Sequence, residues 1–116
     1  MATDKPIQQP VTVENVSGIH CLECPECQHG FMHQCGIEVF TRNKEDAVRG
    51  VNVKIEQGGS VDVGELASRD EGNPSARRDG MRIKFWCEAC RNKDDPHELV
   101  ISQHKGREEI YWERSG

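Results

Sequence analysis

Two Cys-x-x-Cys pairs, Cys24-Pro25-Glu26-Cys27 and Cys87-Glu88-Ala89-Cys90, are the residues whose type and spacing point most directly to chemistry. Thiolates two residues apart in a tight turn grip one metal ion together. Two such pairs supply the closed, tetrahedral four-sulfur shell of a structural zinc site. The expected cofactor is therefore one Zn2+ per chain, held by Cys24, Cys27, Cys87 and Cys90. A mononuclear iron of rubredoxin type takes the same four-cysteine geometry. Spacing alone does not separate the two metals, and iron is the less favoured.

The register of the first pair is open. Cys21-Leu22-Glu23-Cys24 is also a Cys-x-x-Cys. Pro25 directly after Cys24 favours the 24/27 register and leaves Cys21 and Cys35 as spare thiols. His20, His29 and His33 crowd the same stretch and offer substitute ligands. The run Cys21-x2-Cys24-x2-Cys27 begins like a ferredoxin cluster motif, but the next cysteine, Cys35, has neither the required spacing nor a following proline.

Catalysis finds little support. A catalytic zinc needs an open coordination position, and four thiolates leave none. No HExxH, no Gly-x-Ser-x-Gly and no phosphate-cradling glycine motif occurs. Cys87 and Cys90 lack the βαβ context of a thioredoxin-like redox pair. His97 and His104 are acid–base candidates only as any histidine is. The expectation is a protein that is not an enzyme.

Composition says what the metal is for. Of 116 residues, 34% are hydrophobic and 30% charged. That is lean beside the roughly 45–50% apolar content of a typical soluble domain. One small domain is expected, stapled by its metal, since zinc binding supplies about 10–16 kcal/mol of folding free energy in zinc-finger peptides. The six cysteines could instead form disulfides. The polar opening Met1-Ala2-Thr3-Asp4-Lys5-Pro6 carries no export signal, so a reducing cytoplasmic setting and metal binding are expected. Net charge is −5, yet residues 77–93 hold six basic side chains (Arg77, Arg78, Arg82, Lys84, Arg91, Lys93) against Asp79 and Glu88, a local +4.

The elements that must position these groups read mostly as strands. Residues 1–15 are expected to be a flexible tail, 16–113 a single zinc-ribbon-like β domain, and 114–116 a second tail. Ile37–Thr41 is β-rich, and Val51–Glu56 and Val61–Val63 alternate apolar and polar around a Gly58-Gly59 turn. Met81, Ile83 and Phe85 should face inward, with Arg82, Lys84 and Trp86 on the other side. Glu98–Gln103 and Arg107–Trp112 flank a turn at Lys105-Gly106. Asn43–Gly50 reads as a helix of one to two turns, with Asn43 as its cap and Gly50 as its stop. Residues 66–80 read as a mobile loop. In it Arg77 and Arg78 either grip phosphate or acidic partner residues, or pair locally with Asp70, Glu71 or Asp79.

The motifs Cys24-Pro25-Glu26-Cys27, Asn73-Pro74-Ser75-Ala76-Arg77-Arg78-Asp79-Gly80, Phe85-Trp86-Cys87-Glu88-Ala89-Cys90 and Gln103-His104-Lys105-Gly106 together resemble a group of small bacterial and phage proteins. The resemblance spans roughly residues 20–113. It implies a zinc-ribbon-like β-protein of phage or mobile-element origin and brings no activity with it. The reading is a small, all-β, zinc-ribbon-like domain with an inserted β-hairpin, one short helix and a long loop. Its expected role is that of a zinc-stabilised, non-enzymatic binding module, an adaptor for a protein partner. The alternative is a nucleic-acid-binding ribbon in which Arg77, Arg78, Arg82, Lys84, Arg91 and Lys93 contact phosphate and Trp86 stacks on bases.

Overall fold

Alternating apolar and polar residues dominate this chain, and they fold as alternation dictates. The computed structural model describes residues 7–28, 30–47, 49–66, 72–90 and 97–114. It contains β1 (Ile7–Gln9), β2 (Val13–Val16), β3 (Ile19–Leu22), β4 (Met32–Arg42), β5 (Arg49–Glu56), β6 (Val61–Leu66), β7 (Gly80–Cys87), β8 (His97–His104) and β9 (Arg107–Arg114). Seven strands form one antiparallel sheet in the order β1-β9-β8-β7-β4-β5-β6, and β2-β3 form a separate hairpin. The small all-β class is thus observed.

Turn chemistry agrees with the pairing. Lys105 and Gly106 have φ of 52° and 78°, two successive left-handed residues between β8 and β9. That is the primed turn whose twist matches the flanking strands. Gly58 and Gly59, with φ of 93° and 131°, close the β5–β6 hairpin. Residues 7–9 and 13–16, read from sequence as part of a flexible tail and its margin, pair as β1 and β2.

The expected helix over Asn43–Gly50 is not there, and no helix occurs among the described residues. Asn43–Asp46 turns instead, and Arg49 and Gly50 already belong to β5. Eight residues are too few to pay for helix nucleation, and the strand pairing offers more. A Cβ on Gly50 would lie 1.8 Å from the Thr41 carbonyl oxygen, so this glycine permits close approach of β4 and β5 rather than a helix stop. Val48 lies outside the described residues.

The segment 72–79 packs across one face of the sheet. Asn73 Oδ1 accepts from the Ser75 N–H at 2.9 Å, and Asn73 Nδ2 donates to the Arg78 carbonyl at 3.0 Å. Ser75 Oγ donates to the Gln103 carbonyl at 2.8 Å. Asn73 and Ser75 are buried, and Gly72 lies over the ring of Phe40. A Cβ on Gly80 would meet Pro74 Cγ at 2.6 Å, so glycine is what lets this loop sit against β7. Residues 67–71 of the expected 66–80 loop lie outside the described residues.

Two small core clusters result. One is Phe85, Leu99 and Trp112, with Val11, Leu22, Met32 and Ile83 against it; the other is Cys24, Cys87 and Cys90, with Met32 against it. Met32 joins the sheet core to the cysteines.

Candidate metal centre

Four thiols converge where β3 ends, β4 begins and β7 ends. Cys24 and Cys27 lie in the turn after β3, closed by Gln28 N–H donating to the Cys24 carbonyl at 2.8 Å. Gln28 sits at φ 62°, which lets the chain double back. Cys87 is the last residue of β7 and pairs in register with Met32, the first of β4. Glu88 N–H then donates to the Phe31 carbonyl at 3.1 Å, and the bend that follows delivers Cys90.

The sulfurs of Cys24, Cys27, Cys87 and Cys90 all lie within 4.8 Å of one another. Three separations are 3.4 Å (Cys24–Cys90), 3.5 Å (Cys27–Cys87) and 3.7 Å (Cys27–Cys90). A tetrahedron with metal–sulfur bonds of about 2.3 Å has edges of about 3.8 Å. A disulfide needs about 2.05 Å. The spacing therefore fits four ligands around one ion, and all six cysteines are free thiols. Cys24, Cys87 and Cys90 are buried while Cys27 is exposed, so the site lies near the surface with Cys27 on its outer side.

Burial pushes the Cys24 and Cys90 thiols up from their ordinary value. For Cys24, backbone N–H groups of Cys27 and Glu26 oppose this by hydrogen-bonding its sulfur. Those N–H groups are the feature that makes a Cys-x-x-Cys turn a thiolate holder. A dication at the centre would supply the rest of the stabilisation that buried thiolates require.

His97 is a neighbour that sequence reasoning did not single out. Its Nε2 lies 3.5 Å from Cys24 Sγ, and both residues are buried. Glu26, Cys90 and His97 also have ligand atoms within 4.8 Å of one another. His97 opens β8 opposite Phe85, and its ring meets Trp112 edge-on at 6.3 Å. The only hint in the sequence is its place at the start of the strand after Cys90.

The other candidates go elsewhere. Cys21 pairs with Glu14 in the β2–β3 hairpin. Cys35 sits at a β-bulge in β4, where burial pushes its thiol up. Neither belongs to the four-thiol cluster. His20 is exposed on β3. His33 hydrogen-bonds Glu88 at 2.8 Å and stacks on Trp86 with centroids 4.2 Å apart. His29 lies outside the described residues.

Three of the six basic residues of this segment, Arg77, Arg78 and Arg82, face carboxylates. Arg77 meets Glu45 at 2.6 Å and Asp46 at 2.9 Å, and Arg78 meets Glu45 at 2.8 Å. The expected local partners were Asp70, Glu71 or Asp79. Asp70 and Glu71 lie outside the described residues, and Asp79 accepts from the Arg42 backbone N–H at 2.8 Å. The turn read as a helix supplies the carboxylates instead. Arg82 is half-buried, donates to the Gly72 carbonyl at 2.9 Å and pairs with Glu98 and Glu113. The Lys84 charge partly opposes the rise that burial imposes on the Cys35 thiol. Arg91 and Lys93 lie outside the described residues. Compared with protein-family models, curated proteins and solved structures, the chain finds no match.

Proposed function

We propose that this chain is a zinc-stabilised, non-enzymatic binding module of zinc-ribbon-like type, working as an adaptor that presents its sheet to a protein partner. One Zn2+ per chain would be held by Cys24, Cys27, Cys87 and Cys90. The observation that carries the reading is the set of sulfur separations, 3.4–3.7 Å for three of the pairs and within 4.8 Å throughout. Zinc bound there supplies charge compensation and a cross-link; with four thiolates around it, it has no position left for water.

The adaptor role is supported by several large apolar side chains left exposed on the sheet, among them Val61, Val63 and Ile110. Nucleic-acid binding through Arg77–Lys93 finds less support, because Arg77, Arg78 and Arg82 already face carboxylates. The test is elemental mass spectrometry on the purified protein and six single Cys→Ser variants. The reading expects one zinc per chain, lost on changing Cys24, Cys27, Cys87 or Cys90 and kept on changing Cys21 or Cys35. Metal-free protein, or sensitivity at Cys21 or Cys35, overturns it.

A further inference from the structure

Directly opposed residues on neighbouring strands share a face of the sheet, so the register spells out each face. One row runs Val61, Ile55, Ile37, Ile83, Leu99, Trp112 from β6 to β9. The next runs Val63, Val53, Val39, Met81, Ile101, Ile110. Both rows are apolar at every position across six strands. The reverse face carries the charges, with Lys54 opposite Glu38 and Glu38 opposite Arg82. An antiparallel sheet that leaves one face to solvent ordinarily makes that face the polar one.

Among the described residues, cover lies on one end of the apolar face. Val11, Leu22 and Met32 pack on Phe85, Leu99 and Trp112. Toward β6 the cover stops: Val63 is 71% exposed, Val61 58%, Val51 49% and Ile55 42%, and Ile110 is 49% exposed at the β9 side. Between them Val39, Met81 and Ile101 help line an open hollow of about 320 Å³.

We propose that two copies of this chain pack face to face through this surface, giving a two-sheet sandwich. The proposal rests on the reading of the chain as a binding module and names its partner. Size is the first argument. Leaving out the buried Leu99 and Trp112, ten positions of about 4.8 by 6.8 Å each cover on the order of 330 Å² in plane. That matches the largest patches that monomers expose, about 300–600 Å². Side-chain relief and the flanking Val51–Thr41 pair enlarge it, which places the contact at the small, weakly associating end of specific interfaces. Charge is the second argument. The two rows carry no charge, and the groups beside their hollow, Asp79 and Glu108, are acidic, so the surface does not suit nucleic acid. A second copy brings a matching apolar face and leaves the reverse face, with its charges and the 72–79 segment packed on it, outside the interface, despite a net charge of −5 on each chain. Edge-to-edge pairing of β6 is disfavoured, because this short strand carries Asp62 and Glu65.

Sedimentation velocity on the full-length, zinc-loaded protein, from low micromolar to near-millimolar concentration, tests the proposal. The expected result is a concentration-dependent dimer. The isosteric pair Val61→Thr and Val63→Thr, made together, should raise the dissociation constant by at least about tenfold, since four apolar contacts per dimer are lost. Ile110→Glu should abolish the dimer, with unchanged zinc content and far-ultraviolet circular dichroism. A monomer at every concentration, or a dimer indifferent to both variants, overturns the proposal. Should Ile110→Glu not fold, the threonine pair decides. A folded monomer that keeps its zinc sinks only the self-docking. A zinc-free chain sinks the zinc-module reading, whatever its state of association.

Discussion

Cys24 concentrates the chemistry of the molecule. It is fully buried, stands 3.4 Å from the Cys90 sulfur, and is approached by the His97 ring at 3.5 Å. With its proton on Nε2, His97 would donate to a Cys24 thiolate, a contact that orients and stabilises a metal ligand. His97→Phe should weaken zinc affinity about 10–100-fold in a chelator competition, with His97→Gln recovering part of the loss. Equal affinity in wild type and His97→Phe would remove His97 from that role. The cysteines were legible in the sequence because a chelating turn is local: two residues of spacing and a proline define it. His97 was not, because it reaches Cys24 through space, from the far end of a segment that begins after Cys90.

At the scale of elements, strand alternation was legible wherever apolar side chains line one face of the strand, whether that face is buried, as in β7, or exposed, as in β5. Asn43–Gly50 misled because caps and charges suit a turn as well as a helix. What decides is non-local, namely the approach of Gly50 to Thr41 and the pairing of Glu45 and Asp46 with Arg77 and Arg78. The Arg77 guanidinium, hydrogen-bonded to Asp46, holds that carboxyl below its ordinary 3.8. A depressed carboxylate stabilises the fold above its unfolded pKa, and the contribution disappears as pH falls through the lower folded value. Asp46→Asn should therefore narrow its stability gap to wild type as pH drops below about 4, in denaturant melts across pH. A gap that stays constant with pH would show that the pair does not act in this way. Asn73 closes the loop over Phe40 with two hydrogen bonds while buried. Asn73→Ala should cost about 1–3 kcal/mol in denaturant unfolding, for it strands the Ser75 N–H and the Arg78 carbonyl. Its buried role was invisible in a run of loop-forming residues.

The whole molecule is a broad sheet with little to hold it. Its apolar side chains are spread over the sheet rather than gathered into one core, with Phe40 and Val100 buried on the face opposite Leu99 and Trp112, and Met32 packs against both buried clusters. The lean composition foretold a staple, and four thiols from opposite ends of the sequence meet where one would act. Strong chelation should lower the thermal midpoint by well over 10 °C, since the metal closes a loop of some sixty residues. An unchanged melting curve after zinc removal would mean that the sheet stands without it. X-ray absorption at the zinc edge of the purified protein tests the central claim most directly. The account predicts one zinc per chain with four sulfurs at about 2.3 Å and no nitrogen or oxygen in the shell. An absent metal, or a shell containing a histidine nitrogen or a water, would contradict it.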